Sequence, residues 1–199
     1  LWFTHPGPRF GLKKVILFLS MLISEHIVTA SPSSFPFKNK KVKVIGHAID
    51  LEKFNYNRDS FQIRKFLILS RISESKNLDI AIESFLKSEF NNHELHIIGG
   101  PINKADEDYF LSLKKRYNND NIKFLGKIKH EKLPEKLLEY DVHFNCAKDG
   151  FFDKSILETL SCEIINFYKN KDFNYIFGND FFNFKNSEDL VLKLNQLGK

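Results

Sequence analysis

Short apolar segments alternate with amphipathic segments along most of this chain, and this alternation is the feature that most constrains its fold. The apolar segments have the length of buried strands, and the amphipathic ones carry apolar residues at helical spacing. The predicted strands are 41–46, 66–70, 94–100, 121–126, 141–147 and 163–168. The predicted helices are 77–90, 106–117, 132–140, 154–162 and 188–197. Because strands that alternate with helices form a parallel sheet with right-handed crossovers, we predict a doubly wound α/β fold.

The first 40 residues follow a different pattern from the rest of the chain. A strand end and a turn precede an apolar segment over 12–27, whose composition is typical of a buried or half-buried helix. A short strand over 28–31 follows, and then a connector rich in proline and serine over 32–40, which is typical of a domain boundary. We therefore predict one unit over 1–40 and a second over 41–199. Because the chain begins at Leu1 rather than Met, we expect it to be a fragment.

Composition excludes several classes of protein. Apolar residues make up 42% of the chain and charged residues 28%, which excludes a disordered tail and a collagen-like fibre. The two cysteines, Cys146 and Cys162, cannot build a disulfide framework, and the histidines lack metal-ligand spacing, so we predict no metal site. The net charge of +5 comes from lysines that are scattered among acids, so we expect no nucleic-acid partner. Such a mild basic excess suits a phosphorylated ligand or an anionic membrane surface.

Neither a membrane span nor a signal peptide is evident in the sequence. The most apolar run, 15–23, is interrupted by Ser20 and is shorter than the roughly 20 residues that a spanning helix needs. No small-residue cleavage site follows it. We therefore expect a cytoplasmic protein with reduced thiols.

Two cations follow the predicted strand at 66–70. Arg71 comes directly after this strand, and Lys76 lies five residues later, just before a helix. Doubly wound sheets bind ligands at the carboxyl ends of their strands, and a helix N-terminus favours anions, so these cations could hold a diphosphate. A structural role is the alternative, with Lys76 paired to Glu74 and Arg71 bonded to a loop.

Glycines and acids follow two other strands. Gly99 and Gly100 permit either the close approach of a ligand or a plain turn, and the absence of G-x-G-x-x-G argues against an NAD or FAD enzyme. Asp153 can cap the helix at 154–162, whose first-turn amides can face a phosphate. Glu158 in that helix could accept hydrogen bonds from a ribose diol or face solvent. His5 is a further candidate, although a single histidine is more often structural.

Several segments, taken in order, resemble the retaining nucleotide-sugar glycosyltransferases of family 4, which have the GT-B, glycogen-synthase-like architecture. They are VIGHAIDLEKF, ILSRISESKNLDIAIESF, LHIIGGP, NIKFLGKIKHEKLPEKLLEYDVHFNCA and FFDKSILETLSC. The resemblance covers about 41–199 and implies a Rossmann-like domain that binds the donor. Residues 1–40 are similar to the end of the family's acceptor-binding domain, which implies that most of that domain is missing.

The resemblance also implies roles for the candidate residues. Arg71 and Lys76 would neutralise the departing diphosphate, and His5 matches the family's active-site histidine. Glu158 matches the second glutamate of the E-x₇-E motif and would bind the ribose of the nucleotide. Gly150 stands where the first glutamate belongs.

Because Gly150 has no carboxylate, the resemblance implies that neighbouring residues contact the donor instead. Asp153 and Lys154 are plausible stand-ins for the missing carboxylate in the donor-sugar contact. The amides around Ser155 would help to stabilise the leaving diphosphate, and Gly99 and Gly100 would border the donor.

The function that the resemblance implies is transfer of a hexose from a nucleotide-diphosphate sugar, with retention and without a metal or other cofactor. The acceptor would be a sugar or a lipid-linked molecule, and the segment 12–27 could contact the inner face of a membrane or pack in the missing domain. Two alternatives remain open: a catalytically impaired module that binds nucleotide sugars, and a non-enzymatic doubly wound domain. We expect the fragment alone to be inactive even if the parent protein is an enzyme.

Overall fold

The computed structural model describes residues 2–3, 11–56, 62–178 and 181–197. The first part of the chain forms a small parallel sheet in the order β1-β2-β3, with β1 at Trp2–Phe3, β2 at Ile27–Thr29 and β3 at Val42–Val44. Helix α1 (Leu12–Ile23) connects β1 to β2. The strand predicted over 41–46 is therefore paired with β2, whereas the sequence analysis assigned it to the second unit. Alternating β-branched residues identify a strand but not its partner, and the boundary at residue 40 stays a prediction.

Five parallel strands form the larger sheet. They are β4 (Lys65–Leu69), β5 (Glu94–Ile98), β6 (Ile122–Gly126), β7 (Val142–Asn145) and β8 (Ile165–Tyr168). Their order is β6-β5-β4-β7-β8. The chain therefore runs outward from β4 to β6 and then returns to the other side of β4 with β7. This reversal creates the kind of crevice, at the carboxyl ends of β4 and β7, in which doubly wound proteins bind ligands.

Helices connect and cover these strands, which confirms the predicted doubly wound α/β fold. They are α2 (Leu78–Lys87), α3 (Lys104–Arg116), α4 (Leu133–Leu137), α5 (Lys154–Ser161), α6 (Asn174–Phe177) and α7 (Ser187–Leu197).

Strands β4, β5, β7 and β8 of the larger sheet are buried on both faces, whereas the edge strand β6 is partly exposed. Phe66 and Ile68 of β4 lie in one apolar cluster with residues of α2 and α7, while Leu67 lies in another cluster with residues of α4. Aromatic rings fill the first cluster, and the Phe66 ring centroid lies 5.2 Å from that of Phe85 and 5.7 Å from that of Phe144. Each such buried phenylalanine contributes roughly 1.5–3 kcal/mol through the area removed from water. The sheet is therefore a rigid platform for the loops at its carboxyl edge.

Helix α1 differs from the prediction in length. It ends at Ile23, because Ile27 already begins β2 and donates its amide to the carbonyl of Lys41. Met21 is its only buried residue, and most of its other apolar side chains are exposed in this chain, so the predicted burial stays a prediction for the missing domain. Within the described residues, no helix has the length and apolar character needed to cross a membrane.

A cluster of hydroxyl groups connects the first part of the chain to the loop before α5. The Ser31 hydroxyl donates to Asp172 over 2.7 Å, and Ser33 donates to the same carboxylate oxygen. Gly150 also donates its amide to that oxygen over 2.9 Å, while Ser34 donates to the carbonyl oxygen of Gly150 over 3.0 Å. The backbone of Gly150 is thus bonded to the connector between β2 and β3.

Candidate functional site

A pocket of about 470 Å³ opens at the carboxyl edge of the larger sheet. Its lining comes from four segments, 69–76, 98–99, 127–133 and 151–155, which follow β4, β5, β6 and β7. Its volume falls within the roughly 300–1,000 Å³ that is usual for small-molecule sites. The pocket therefore occupies the crevice that the strand order creates.

Four basic side chains line the pocket: Arg71, Lys76, Lys127 and Lys154. Arg71 is 41% exposed, and its Nε lies 3.9 Å from Asp106, so its guanidinium is only weakly engaged. For Lys127 and Lys154 no carboxylate partner is found in the described part of the chain. Arg71 and Lys76 meet in one pocket with Lys154, which the resemblance also placed at the donor site, and with Lys127, which the sequence analysis did not identify.

Lys76 is held more firmly than Arg71. Its ammonium group forms an ion pair with Asp153 rather than with Glu74, and its side chain is only 10% exposed. The ammonium also lies 5.5 Å from the ring centroid of Phe151. The alternative of a pair with Glu74 is therefore wrong, because the side chain turns inward across the sheet edge toward the loop after β7.

Asp153 precedes α5 at the N-cap position, but its carboxylate makes no capping hydrogen bond. It pairs with Lys76 and accepts a hydrogen bond of 3.0 Å from Asn145. The predicted capping role is therefore wrong, because the ion pair draws the carboxylate away from the helix amides. Close by, the buried hydroxyl oxygen of Ser155 has no hydrogen-bond partner among the described residues, and Ser155 lines the pocket.

Gly99 and Gly100 differ in what surrounds them. Gly99 lines the pocket with a φ of +139°, and a Cβ there would lie 1.8 Å from the carbonyl oxygen of Ser70. A Cβ at Gly100 would instead meet the side chain of Lys127, with the Cε at 2.9 Å. The close approach at Gly99 is therefore to a neighbouring strand end. A contact of either glycine with a donor stays a prediction.

Glu158 is buried, with 7% of the residue exposed, so the alternative of a solvent-facing carboxylate is wrong. Its Oε1 lies 3.1 Å from Nε2 of His130. His130 lines the pocket that Arg71 also lines. The guanidinium and the carboxylate therefore lie at the same edge of the sheet, as the predicted site requires.

The sequence analysis missed His130 and Lys127 as pocket residues. Both follow β6 and lie in the segment 121–147 that resembles the family, so the rule that ligand sites lie after strands could have drawn attention to them. His5, in contrast, falls outside the described residues, and its predicted role stays a prediction.

Helix α5 is anchored to the sheet by a buried polar network. His143 of β7 places Nδ1 2.7 Å from Oδ1 of Asn166, and the Thr159 hydroxyl of α5 donates to the same oxygen over 2.7 Å. Burial lowers the pKa of His143 to about 4, so its imidazole is neutral at pH 7. This network fixes the helix that carries Ser155 and Glu158.

The described part of the chain gives no support for a metal site or for a reactive thiol. Among those residues, no three histidine, cysteine, aspartate or glutamate side chains are grouped to hold a metal ion. Burial raises the pKa of the Cys146 thiol to about 12, which disfavours the reactive thiolate.

Comparison with known proteins identifies the family. The model of the family described as glycosyl transferases group 1 matches residues 53–197, more than half of the chain. The chain belongs to this family. None of the curated proteins matches the chain significantly.

Three solved structures share the fold of this group 1 domain. HepE from Anabaena in complex with UDP-glucose has a TM-score of 0.79 at 15% identity, over 100% of this chain and 62% of its own. A TarM mutant from S. aureus in complex with fondaparinux, α-GlcNAc-glycerol and UDP gives 0.73 at 16%, over 98% and 42%. The pneumococcal O-GlcNAc transferase GtfA in complex with UDP and GlcNAc gives 0.70 at 12%, over 94% and 41%.

These likenesses show the fold of the glycosyl transferases group 1 domain. The five-stranded parallel sheet with its helices matches the Rossmann-like C-terminal half of the GT-B fold. The chain spans between 41% and 62% of the length of the three structures.

Proposed function

We propose that this group 1 domain binds a UDP-sugar in the pocket at the carboxyl edge of the larger sheet, as the donor part of a retaining glycosyltransferase that needs no metal. The observation that carries the proposal is the convergence of Arg71, Lys76 and the start of α5 on one pocket. The UDP and UDP-glucose in the structures of HepE, TarM and GtfA support the choice of nucleotide. Retention is proposed from the resemblance to family 4.

The diphosphate would lie between Arg71, Lys76 and α5. Arg71 offers a planar fork to two phosphate oxygens, whereas Lys76 offers a single ammonium charge. The unpartnered Ser155 hydroxyl and the amides at the start of α5 can donate to the same group. Lys127 and Lys154 raise the positive charge of the pocket further.

These groups could also assist the transfer itself. The bond between the anomeric carbon and the β-phosphate oxygen breaks, and the departing UDP keeps the electron pair. The acceptor hydroxyl forms the new bond to that carbon and passes its proton to the departing β-phosphate oxygen. Because negative charge builds on UDP in the oxocarbenium-like transition state, fixed cations that hold UDP lower the barrier.

A module that binds a nucleotide sugar without catalysis is the second candidate. Gly150 stands where the family motif has its first glutamate, and its amide is bonded to Asp172. Asp153, the proposed stand-in, is paired with Lys76. The loss of a carboxylate from the donor-sugar contact would leave binding of UDP intact and weaken transfer.

The acceptor and the location of the protein belong to the same proposal. A sugar or a lipid-linked molecule would serve as acceptor, and the exposed apolar face of α1 beside Lys13 supports peripheral contact with a membrane. Cys146 and Cys162 form no disulfide, which is usual for proteins of the reducing cytosol.

Titration calorimetry of the 199-residue chain with UDP tests the binding step. We expect saturable binding that raises the melting temperature, since a ligand of the native state stabilises it. Absence of both effects would reject the proposed function and favour a non-enzymatic α/β domain. Transfer by a protein that joins this chain to an acceptor domain would then distinguish the enzyme from the binding module.

A further inference from the structure

We propose that His130 is the residue that contacts the ribose of the nucleotide, and that Glu158 acts through it as a positioning residue. This inference rests on the proposed function, because it takes the ligand of the pocket to be UDP. It differs from the role that the family motif implies, in which the glutamate binds the ribose directly.

The first observation is that His130 lines the pocket and Glu158 lies behind it. His130 lines the pocket, whereas Glu158 is 7% exposed and lies outside the lining. The 3.1 Å contact between Nε2 of His130 and Oε1 of Glu158 connects them. A ligand in the pocket therefore meets the imidazole before it reaches the carboxylate.

The second observation is that the position of the imidazole is fixed by contacts besides the one with Glu158. Its ring centroid lies 5.4 Å from that of Phe54, which is 1% exposed and belongs to the apolar cluster that contains Leu133. His130 also begins the short 3₁₀ turn His130–Lys132 that leads into α4. The side chain is nevertheless 59% exposed, so a ligand can reach its free edge.

The hydrogen-bond chemistry follows from this arrangement. A carboxylate only accepts hydrogen bonds, so the bond to Glu158 requires the proton of the imidazole on Nε2. In the neutral ring Nδ1 is then an acceptor. A ribose hydroxyl can donate to that nitrogen. A buried carboxylate that orients a histidine in this way is a common arrangement where an imidazole must present one defined nitrogen.

The two assignments predict different behaviour of variants. If Glu158 acts through His130, removal of the carboxylate has no further effect once the imidazole is gone. If Glu158 bonds the ribose itself, removal of His130 uncovers the carboxylate, and Glu158→Ala still weakens binding in the absence of the imidazole. A double-mutant cycle separates these cases because the two side chains are in contact.

The experiment measures binding of UDP and of 2′,3′-dideoxy-UDP to the 199-residue chain by calorimetry. The variants are His130→Ala, Glu158→Ala, the double variant and Glu158→Gln, with Lys129→Ala as a control on the same turn outside the pocket lining. Melting temperatures identify any variant that fails to fold, and His130 tolerates truncation because its side chain is largely exposed.

We expect His130→Ala to weaken UDP binding by about fivefold to tenfold and to leave the dideoxy analogue nearly unaffected. The double variant should bind UDP no more weakly than His130→Ala. Glu158→Gln, whose amide oxygen still accepts from Nε2, should bind UDP more tightly than Glu158→Ala. A merely structural role of Glu158 would weaken both nucleotides equally and would not be rescued in this way.

Two results would overturn the inference while leaving the proposed function intact. One is wild-type affinity for UDP in His130→Ala. The other is an equal cost of Glu158→Ala with and without the imidazole, which would assign the ribose to Glu158. Failure of the wild-type chain to bind UDP would instead reject the proposed function on which the inference rests.

Discussion

Lys76 and Asp153 form an ion pair at the carboxyl edge of the larger sheet, although 77 positions separate them in the sequence. Asn145 donates to the other carboxylate oxygen, so Asp153 is held from two sides. The proposed diphosphate site therefore contains a cation whose charge is already neutralised. An incoming diphosphate must compete with Asp153 for the ammonium group.

Replacement of Asp153 by asparagine tests this competition. Asp153→Asn removes the carboxylate charge and can still accept from Asn145, so we expect it to bind UDP several-fold more tightly than the wild-type chain. Lys76→Met should lose most of the affinity and lower the free energy of unfolding by about 1–3 kcal/mol, since it leaves a partly buried carboxylate without its partner. Calorimetry and urea unfolding measure the two quantities. Weaker UDP binding by Asp153→Asn would show that the carboxylate assists the nucleotide instead.

The adjacent glycines provide a matched pair of variants. Gly99→Ala would place a Cβ 1.8 Å from a backbone oxygen at a φ of +139°, so we expect the free energy of unfolding to fall by more than about 2 kcal/mol. Gly100→Ala meets only the flexible end of Lys127 and should cost clearly less. Urea unfolding of both variants measures this. Equal costs would contradict the packing described for Gly99.

Much of the fold could be predicted because buried parallel strands are continuous apolar runs, as the segment 66–70 illustrates. The strand with which β3 pairs could not be predicted, since the alternating pattern of β3 suits either sheet. At the site, Arg71 and Lys76 could be found from their position after a strand. The contact of Glu158 with His130 could not, because the two residues lie 28 positions apart and only the fold brings them together.

Acid should destabilise the chain through His143. Its folded pKa of about 4 lies below the ordinary value of 6.5, so the unfolded chain binds the proton more readily. The contribution is fully present above pH 6.5 and is lost as the pH falls toward 4, by up to roughly 3 kcal/mol. We expect the stability advantage of the wild-type chain over His143→Asn to shrink across this range in urea unfolding. Parallel loss of stability in both proteins would contradict this assignment.

The most direct test of the account is calorimetric titration of UDP into the wild-type chain and Arg71→Ala. Because the contact between Arg71 and Asp106 is long and the Arg71 side chain is 41% exposed, its loss should lower the melting temperature by less than about 4 °C. Arg116→Ala, which removes an exposed guanidinium outside the pocket lining, is the control and should bind as the wild type does.

The account predicts that the wild-type chain binds UDP and that Arg71→Ala, still folded, binds it at least about tenfold more weakly. Equal affinity of the two proteins, or no binding by the wild type, would contradict it.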